Sequence, residues 1–122
     1  MTDKPLREQT QNLVQELRRG VIVLAVLSQL HEEQYGYSLM KRLEEQGMQI
    51  DQGTLYPLLR RLEEQQLLES DWRMDTSRPR RYYILSDFGK GVLEEMSLEW
   101  LRIKTTVDQL LDKNMEKENE TN

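Results

Sequence analysis

The sequence predicts a mainly α-helical chain that carries one two-stranded β-hairpin and ends in a long helix. Three observations predict this fold class. Apolar residues recur at helical spacing as far as Gln66, and the pattern then changes to one typical of strands. After Ser86 the apolar spacing alternates between three and four residues and continues to Asn114, which is typical of a helix that pairs with another helix.

The composition limits the size and the partners of the chain. With 122 residues it is one small domain, or one domain plus an arm. Charged residues make up 32% of it and hydrophobic residues 37%, so a second copy would help it to bury enough apolar area. The formal net charge is -5, so any contact with nucleic acid has to come from a local basic patch.

Several function classes are excluded or disfavoured by what the sequence lacks. There is no cysteine, which excludes disulfides, thiolate metal sites and cysteine nucleophiles. The one histidine, His31, has no nearby set of metal ligands, and adjacent acids such as Glu44 and Glu45 diverge on a helix instead of forming a catalytic pair. We therefore expect no metal, no cofactor and no enzyme activity.

The start of the chain and its longest uncharged run bear on localisation. The first twelve residues, MTDKPLREQTQN, are polar, and the run from Gly20 to Leu30 is too short to span a bilayer. We therefore expect no signal peptide, no membrane partner and a cytoplasmic protein.

The first element is predicted to be a helix. The run from Val21 to Leu30 is rich in β-branched residues and could, by itself, form a buried strand. Its apolar residues nevertheless recur at helical spacing, which favours a buried helix over about residues 10–31 with a bend at Gly20. The earlier apolar residues predict a weakly amphipathic helix or arm; they are Leu6, Leu13, Val14 and Leu17.

Two further helices follow, separated by a four-residue turn. Tyr35–Tyr37 opens the second helix, and Gly47 is predicted to end it. Asp51 is the predicted N-cap of the third helix. The inner residues of the second helix are Leu39, Met40 and Leu43; the third helix has Leu55, Leu58, Leu59 and Leu62 on one face and Tyr56, Arg60, Arg61 and Glu64 towards the other.

The hairpin and the last helix complete the chain. LLESDWR and RRYYIL are the predicted strands, with a tip near Asp75 to Arg78, and Ser86 is the predicted cap of the last helix. We thus expect three regions, 1–85, 86–114 and a flexible, charged tail at 115–122. The apolar seam of the last helix, a predicted dimerisation surface, is Leu93, Met96, Trp100, Ile103, Val107 and Leu110.

The order helix, helix, turn, helix, hairpin, long helix describes a winged helix-turn-helix with a C-terminal dimerisation helix. In that geometry the third helix lies in the major groove of DNA, and the hairpin, or wing, reaches the backbone or the minor groove. From Thr54 to Tyr83 there are six arginines, no lysine and five acids, whereas the tail has three glutamates and one lysine. Basic residues are therefore concentrated where this geometry needs them.

The start of the third helix has the residue types that a phosphate contact requires. Gly53 would let the main chain approach DNA closely, and Thr54 and Tyr56 carry hydroxyl donors. The arginines could bind phosphate or a guanine edge. The predicted DNA-contacting residues are Gln52, Gly53, Thr54, Tyr56, Arg60 and Arg61 on the third helix, Arg78, Arg80 and Arg81 on the wing, and Tyr37 and Lys41 on the second helix.

Other interpretations of these residues stay open at this point. The helix residues could be an ordinary solvated face, and the wing arginines a mobile charged loop. Arg61 could pair with Glu64 or Gln65, Tyr56 could be half-buried, and Tyr37 could be a packing residue. A different class of function is also compatible with the pattern, namely a winged-helix module that binds an acidic protein partner.

Three blocks of the sequence resemble the PadR family of bacterial transcriptional regulators: YGYSLMKRLEEQG, GTLYPLLRRLEEQQLLES and RPRRYYILSDFG. The resemblance covers roughly Leu17 to Leu111. The single C-terminal helix is similar to that of the small PadR-like subfamily, in which it pairs with the N-terminal helix of a second subunit. The resemblance therefore implies a homodimer that binds a palindromic operator on double-stranded DNA, usually as a repressor.

The resemblance also implies an effector. EWLR puts Trp100 where multidrug-sensing members carry a tryptophan that lines a pore between subunits, in which aromatic drugs stack. Met96 and Trp100 are then candidate effector-binding residues for a drug or phenolic compound, although both could simply pack in a dimer core.

Two departures from the family pattern concern the DNA-binding residues. Thr76-Ser77 stands where relatives often have Gly-Gly in the wing, which would make the tip stiffer or aim it differently. Asp51 stands where relatives often have serine, and it would put a negative charge near phosphate.

Overall fold

The structure is a computed structural model that describes residues 3–75 and 77–121. Within these residues a mainly helical chain surrounds a small antiparallel sheet, as the sequence predicts. The elements are helix α1 (Asp3–Ser28), strand β1 (Gln34–Tyr35), helices α2 (Gly36–Glu45) and α3 (Gln52–Glu64), strands β2 (Leu68–Asp75) and β3 (Arg78–Leu85), and helix α4 (Asp87–Thr121).

Helix α1 is longer than the sequence pattern predicts. It begins at Asp3 and runs through Gly20 without a break, because the polar segment before Gly20 is rich in good helix formers. Residues 4–20 are exposed, while Val26 and Leu27 are completely buried. The second half of α1 therefore belongs to the core, and the first half projects from it.

Local backbone chemistry explains the turn between α2 and α3. Gln46 is the C-cap of α2, and Gly47 follows in the left-handed conformation (φ +94°), which favours glycine. Asp51 is the N-cap of α3, and its carboxylate accepts a 2.7 Å hydrogen bond from the backbone N–H of Thr54. The predicted helix boundaries at this turn are thus confirmed.

The sheet contains one strand more than the sequence predicts. The segment HEEQYG was expected only to break the chain, but Gln34 and Tyr35 form β1 and pair with Tyr83 and Tyr82 of β3. The strand order is β1-β3-β2, so β1 covers an edge that a two-stranded wing would leave open. A strand of two residues is too short to show the alternation of apolar and polar residues by which a strand is predicted from sequence.

The wing is a long, regular hairpin. Its strands stay in register from Leu68 opposite Leu85 to Asp75 opposite Arg78. The predicted tip thus shrinks to two residues. One of them, Thr76 of the Thr76-Ser77 departure, lies outside the described residues.

The hydrophobic core lies between the helices and the root of the wing. Leucines of all four helices and both long strands fill it, and the predicted inner faces of α2 and α3 are confirmed except for Met40, which is half-buried. The backbone of α4 packs closely on the turn between α3 and β2, because a Cβ placed on Gly89 would stand 2.0 Å from the carbonyl oxygen of Leu67 in that turn. This contact fixes where α4 leaves the core.

Helix α4 begins as predicted and ends later. The Oγ of Ser86 accepts a 2.9 Å hydrogen bond from the backbone N–H of Gly89, which confirms the cap. The helix continues past Asn114 to Thr121, so residues 115–121 of the expected flexible tail are helical. Asn122 lies outside the described residues. The tail has no glycine or proline to end the helix.

Candidate nucleic-acid interface

A cleft of ≈780 Å³ opens between the start of α2, the exposed side of α3 and the wing. Four arginines line it, and none of its lining residues is acidic. An acidic chain therefore presents a locally basic concave surface, which suits a polyanion. The predicted DNA-contacting residues that line it are Tyr37, Gln52, Tyr56, Arg60, Arg78, Arg80 and Arg81.

The first turn of α3 is open to solvent at the mouth of the cleft. Gln52, Gly53 and Thr54 are exposed, and a Cβ on Gly53 would meet only the Oδ1 of Asp51, at an ordinary 3.5 Å. The fold itself thus has room for a side chain at position 53. The carboxylate of Asp51 already caps the helix through Thr54.

Tyr56 is held by the start of α2. A Cβ on Gly36 would stand 2.1 Å from a ring carbon of Tyr56, so the ring lies directly on the glycine backbone. Tyr56 is half-buried, one of the alternatives left open by the sequence, while Arg60 and Arg61 are exposed. On α2, Tyr37 is 51% exposed and lies 5.9 Å from the ammonium group of Lys41.

One face of the wing carries a stack of cations and rings. The Arg80 guanidinium lies 4.4 Å from the ring centre of Tyr35, and Tyr35 meets Tyr82 edge-on with centres 5.5 Å apart. Arg73 lies 4.7 Å from the ring of Tyr82. It also pairs with Glu33, and that hydrogen bond raises the pKa of Arg73 above its usual value. The stack ties β1 to the wing and orients Arg80.

The other face of the wing, towards α3, places Arg81 differently from the other wing arginines. Its guanidinium forms a 2.6 Å ion pair with Glu63 of α3 and donates a 3.0 Å hydrogen bond to Ser70 of β2. Burial raises the pKa of the Tyr83 hydroxyl beside it above its usual value.

Sequence reasoning missed several residues of this region. Tyr35 and Trp72 line the cleft. Arg73 forms an ion pair with Glu33, and Glu63 forms one with Arg81, and these pairs join the elements around the cleft. The alternation of β2 did indicate that Trp72 shares a face with Ser70, but no local pattern shows which strand face meets α3. The partners of Arg73 and Arg81 lie far away in the sequence.

The candidate dimerisation and effector residues lie on α4, away from the cleft. Leu93 is buried and Met96 packs partly on the core, whereas Trp100 is 40% exposed. Ile103, Val107 and Leu110 are exposed as well. The first half of α1 also exposes its apolar residues, which are Leu6, Leu13, Val14 and Leu17.

Two other kinds of site do not occur in the described part of the chain. Its histidine, aspartate and glutamate side chains form no group of three or more that could hold a metal ion. None of its helices combines the length and the apolar character needed to cross a membrane.

Comparison with known proteins gives a consistent result. Residues 23–95, more than half of the chain, match the model of the transcriptional regulator PadR-like family. The chain is 35% identical over 83 residues to the transcriptional regulator Rv3488 of Mycobacterium tuberculosis, an alignment that covers 67% of this chain and 78% of the relative.

Solved structures agree with the family match. A PadR family transcriptional regulator from Eggerthella lenta is 46% identical, has a TM-score of 0.81 and matches over 88% of this chain and 96% of its own. A PadR-like transcriptional regulator from Bacillus cereus is 33% identical with a TM-score of 0.70, over 79% and 96% of the two chains. These relatives are transcriptional regulators and not enzymes. The chain belongs to the PadR-like family of transcriptional regulators and is a DNA-binding regulator with a winged-helix fold.

Proposed function

We propose that the chain is a homodimeric, sequence-specific repressor that reads a palindromic operator with α3 and holds the flanking backbone with the wing. The observation that carries this proposal is the cleft, in which arginines and tyrosines of α2, α3 and the wing converge without an acidic lining residue. Arginines of this kind bind phosphate oxygens and, when they reach a groove, guanine edges.

The first turn of α3 is the part that approaches the phosphate most closely. The backbone N–H groups at a helix start point outwards, where the helix dipole favours an anion, although the N–H of Thr54 already bonds to Asp51. Gly53 is exposed and has no neighbour in the fold that demands a glycine. We infer that the glycine serves the close approach of DNA, while Gln52 and Thr54 on either side supply polar contacts.

The apolar surfaces of α1 and α4 support the dimer. In the single chain, both helices expose large apolar side chains over several turns beyond the core. A second copy that pairs α4 with the first half of α1 would cover both surfaces by one two-fold operation. Two copies of α3 would then lie about 34 Å apart, one turn of DNA, and face the two half-sites of a palindrome.

A mobility-shift titration with DNA from upstream of the chain's own gene tests this function. The expected result is a complex that survives physiological salt and a large excess of random-sequence duplex. A control titration uses the same duplex with one half-site scrambled, which should bind much more weakly. Equal affinity for the upstream and the random DNA would contradict a sequence-specific regulator.

Trp100 is the proposed contact for an aromatic effector between the subunits. It is partly exposed on the seam, next to Met96, so a planar ring could stack on it. Because the chain has only two tryptophans, the Trp72→Phe variant reports on Trp100 alone. Saturable quenching of its fluorescence by a planar dye such as ethidium, without DNA, is expected, and quenching no stronger than that of free tryptophan would contradict the effector site.

A further inference from the structure

We propose that Glu63, Ser70 and Arg81 form a clasp that fixes the wing against the recognition helix α3, so that Glu63 and Arg81 act on DNA binding as positioning residues. The inference rests on the proposed DNA-binding function and adds a role for an acidic side chain beside a basic cleft.

The clasp is a closed ring of side chains from three elements. Arg81 Nη2 of β3 lies 2.6 Å from Glu63 Oε1 of α3, and Arg81 Nε donates to Ser70 Oγ of β2 at 3.0 Å. The Ser70 hydroxyl in turn donates to Glu63 Oε2 at 2.5 Å. Both carboxylate oxygens and one edge of the guanidinium, formed by Nε and Nη2, are thus occupied within the protein.

The clasp is partly shielded from water. The side chains of Arg81 and Glu63 are 33% and 26% exposed, and the rings of Trp72 and Tyr83 lie 5.7 and 5.5 Å from the guanidinium. Charge-assisted hydrogen bonds in such a setting are stronger than those of an exposed surface pair. An Arg81 that bound phosphate through its Nε–Nη2 edge would first have to leave these partners.

Because the clasp lies near the root of the wing, a small change of angle there would displace the tip. It joins α3 to the hairpin near the root, at Ser70 opposite Tyr83, and the register continues for five more pairs to Asp75 opposite Arg78. Five residues of strand span roughly 17 Å, so a tilt of about 10° at the root would move the tip by roughly 3 Å. Such a shift is enough to carry Arg78, at the tip, out of hydrogen-bond range of a backbone that α3 has positioned.

If charge alone mattered, removing Glu63 should strengthen DNA binding, whereas loss of the clasp should weaken it. Its carboxylate stands beside the surface that faces the polyanion, and removing a negative charge there should strengthen DNA binding. If the clasp sets the wing angle, removing Glu63 should weaken binding because the wing is no longer held. The sign of the effect therefore separates the two accounts.

The test compares Glu63→Ala with Glu64→Ala, its exposed neighbour on α3, in titrations of the operator duplex by the full-length protein. The two substitutions remove the same charge from adjacent positions. We expect Glu63→Ala to weaken binding about tenfold, the size of one lost charge-assisted hydrogen bond. Glu64→Ala should leave affinity unchanged or raise it slightly. Affinity of Glu63→Ala equal to or above wild type would overturn the clasp.

A double-mutant cycle tests whether Arg81 acts through Glu63. If it does, the variant with both Glu63→Ala and Arg81→Ala should bind no more weakly than Arg81→Ala alone. Additive losses would show that Arg81 contacts DNA independently and would overturn its positioning role. The charge-exchanged pair, Glu63→Arg with Arg81→Glu, should recover part of the affinity lost by Arg81→Glu alone.

Folding and the proposed function are controlled separately. Circular dichroism melts show whether each variant is folded at the assay temperature, and the isosteric Glu63→Gln replaces Glu63→Ala if the latter is not. Glu63→Gln should weaken binding about threefold, since neutral hydrogen bonds are roughly half as strong; no loss would overturn the clasp. Failure of the wild type to prefer its operator would instead count against the proposed function.

Discussion

Gly36 and Tyr56 show how one residue can set the geometry of another at the mouth of the cleft. The Tyr56 ring lies on the backbone of Gly36, where any side chain would meet it. Because the nearest atoms belong to the end of a side chain, a substitution at Gly36 should move the ring and leave the backbone in place. The sequence showed both residues but gave no sign of their contact, which joins two helices through side-chain packing.

The Gly36→Ala variant is predicted to weaken DNA binding while leaving the fold intact. The displaced Tyr56 would lose its proposed contact, worth about 1 kcal/mol or roughly a fivefold change in affinity. The measurement is an operator titration together with a thermal melt, and Tyr56→Phe is the control because it removes only the hydroxyl. Unchanged affinity in both variants would contradict a DNA contact by Tyr56.

Two glycines of α4 should respond to alanine in opposite ways. A Cβ on Gly89 would stand 2.0 Å from the backbone carbonyl oxygen of Leu67, whereas a Cβ on Gly91 would meet nothing within 4 Å. Gly89→Ala should lower the free energy of unfolding by about 2 kcal/mol through overpacking. Gly91→Ala should raise it by about 0.5–1 kcal/mol through helix propensity. Urea unfolding measures both, and equal effects would contradict the packing of α4 on the turn between α3 and β2.

At the scale of the elements, the sequence predicts whatever is encoded by local spacing. The leucine stripe of α3, its Asp51 cap and the seam of α4 are periodic or local, and the structure has the helices that they predict. Strand β1 and the Glu63–Arg81 pair are missing from the prediction because they depend on contacts between residues far apart in the chain. The extent of α1 and α4 was underestimated because polar segments rich in good helix formers extend a helix without an apolar pattern, and Pro5 lies in the first turn of α1, where proline is tolerated.

The wing is predicted to contribute two charges to the contact with phosphate. Replacing Arg78 and Arg80 by alanine should weaken binding to all sequences and reduce the slope of log K against log salt by about 1.8, or 0.9 for each phosphate contact. The control removes the same charge far from the cleft, by Lys90→Ala with Arg102→Ala on α4, and should leave the slope unchanged. If the slope of the Arg78 and Arg80 variant equals that of the wild type, these two arginines do not contact phosphate.

At the scale of the whole molecule, the charges and the apolar surface are separated. The basic cleft lies at the junction of α2, α3 and the wing, while the exposed apolar residues are concentrated on α1 and α4. A net charge of -5 disfavours non-specific contact of DNA with the surface outside the proposed binding cleft. Binding to a palindromic operator would require that the apolar helices join two clefts at the spacing of its half-sites.

The Val107→Glu variant is predicted to break the dimer. Val107 is exposed on the seam in the single chain, and two-fold symmetry would bury two copies of the new charge in the interface. The dimer dissociation constant should rise by about 100-fold or more, because a buried charge without a partner costs several kcal/mol. Gln109→Glu, on the opposite side of α4, is the control. Sedimentation of both variants is the measurement, and equal dimer content would contradict the seam.

The most direct measurement of the central claim is the mass of the complex with an operator duplex by sedimentation equilibrium at micromolar concentration. The account predicts two 14.6 kDa chains on each duplex and a dimer in its absence. A single chain on each duplex, together with only single chains in free solution, would contradict it.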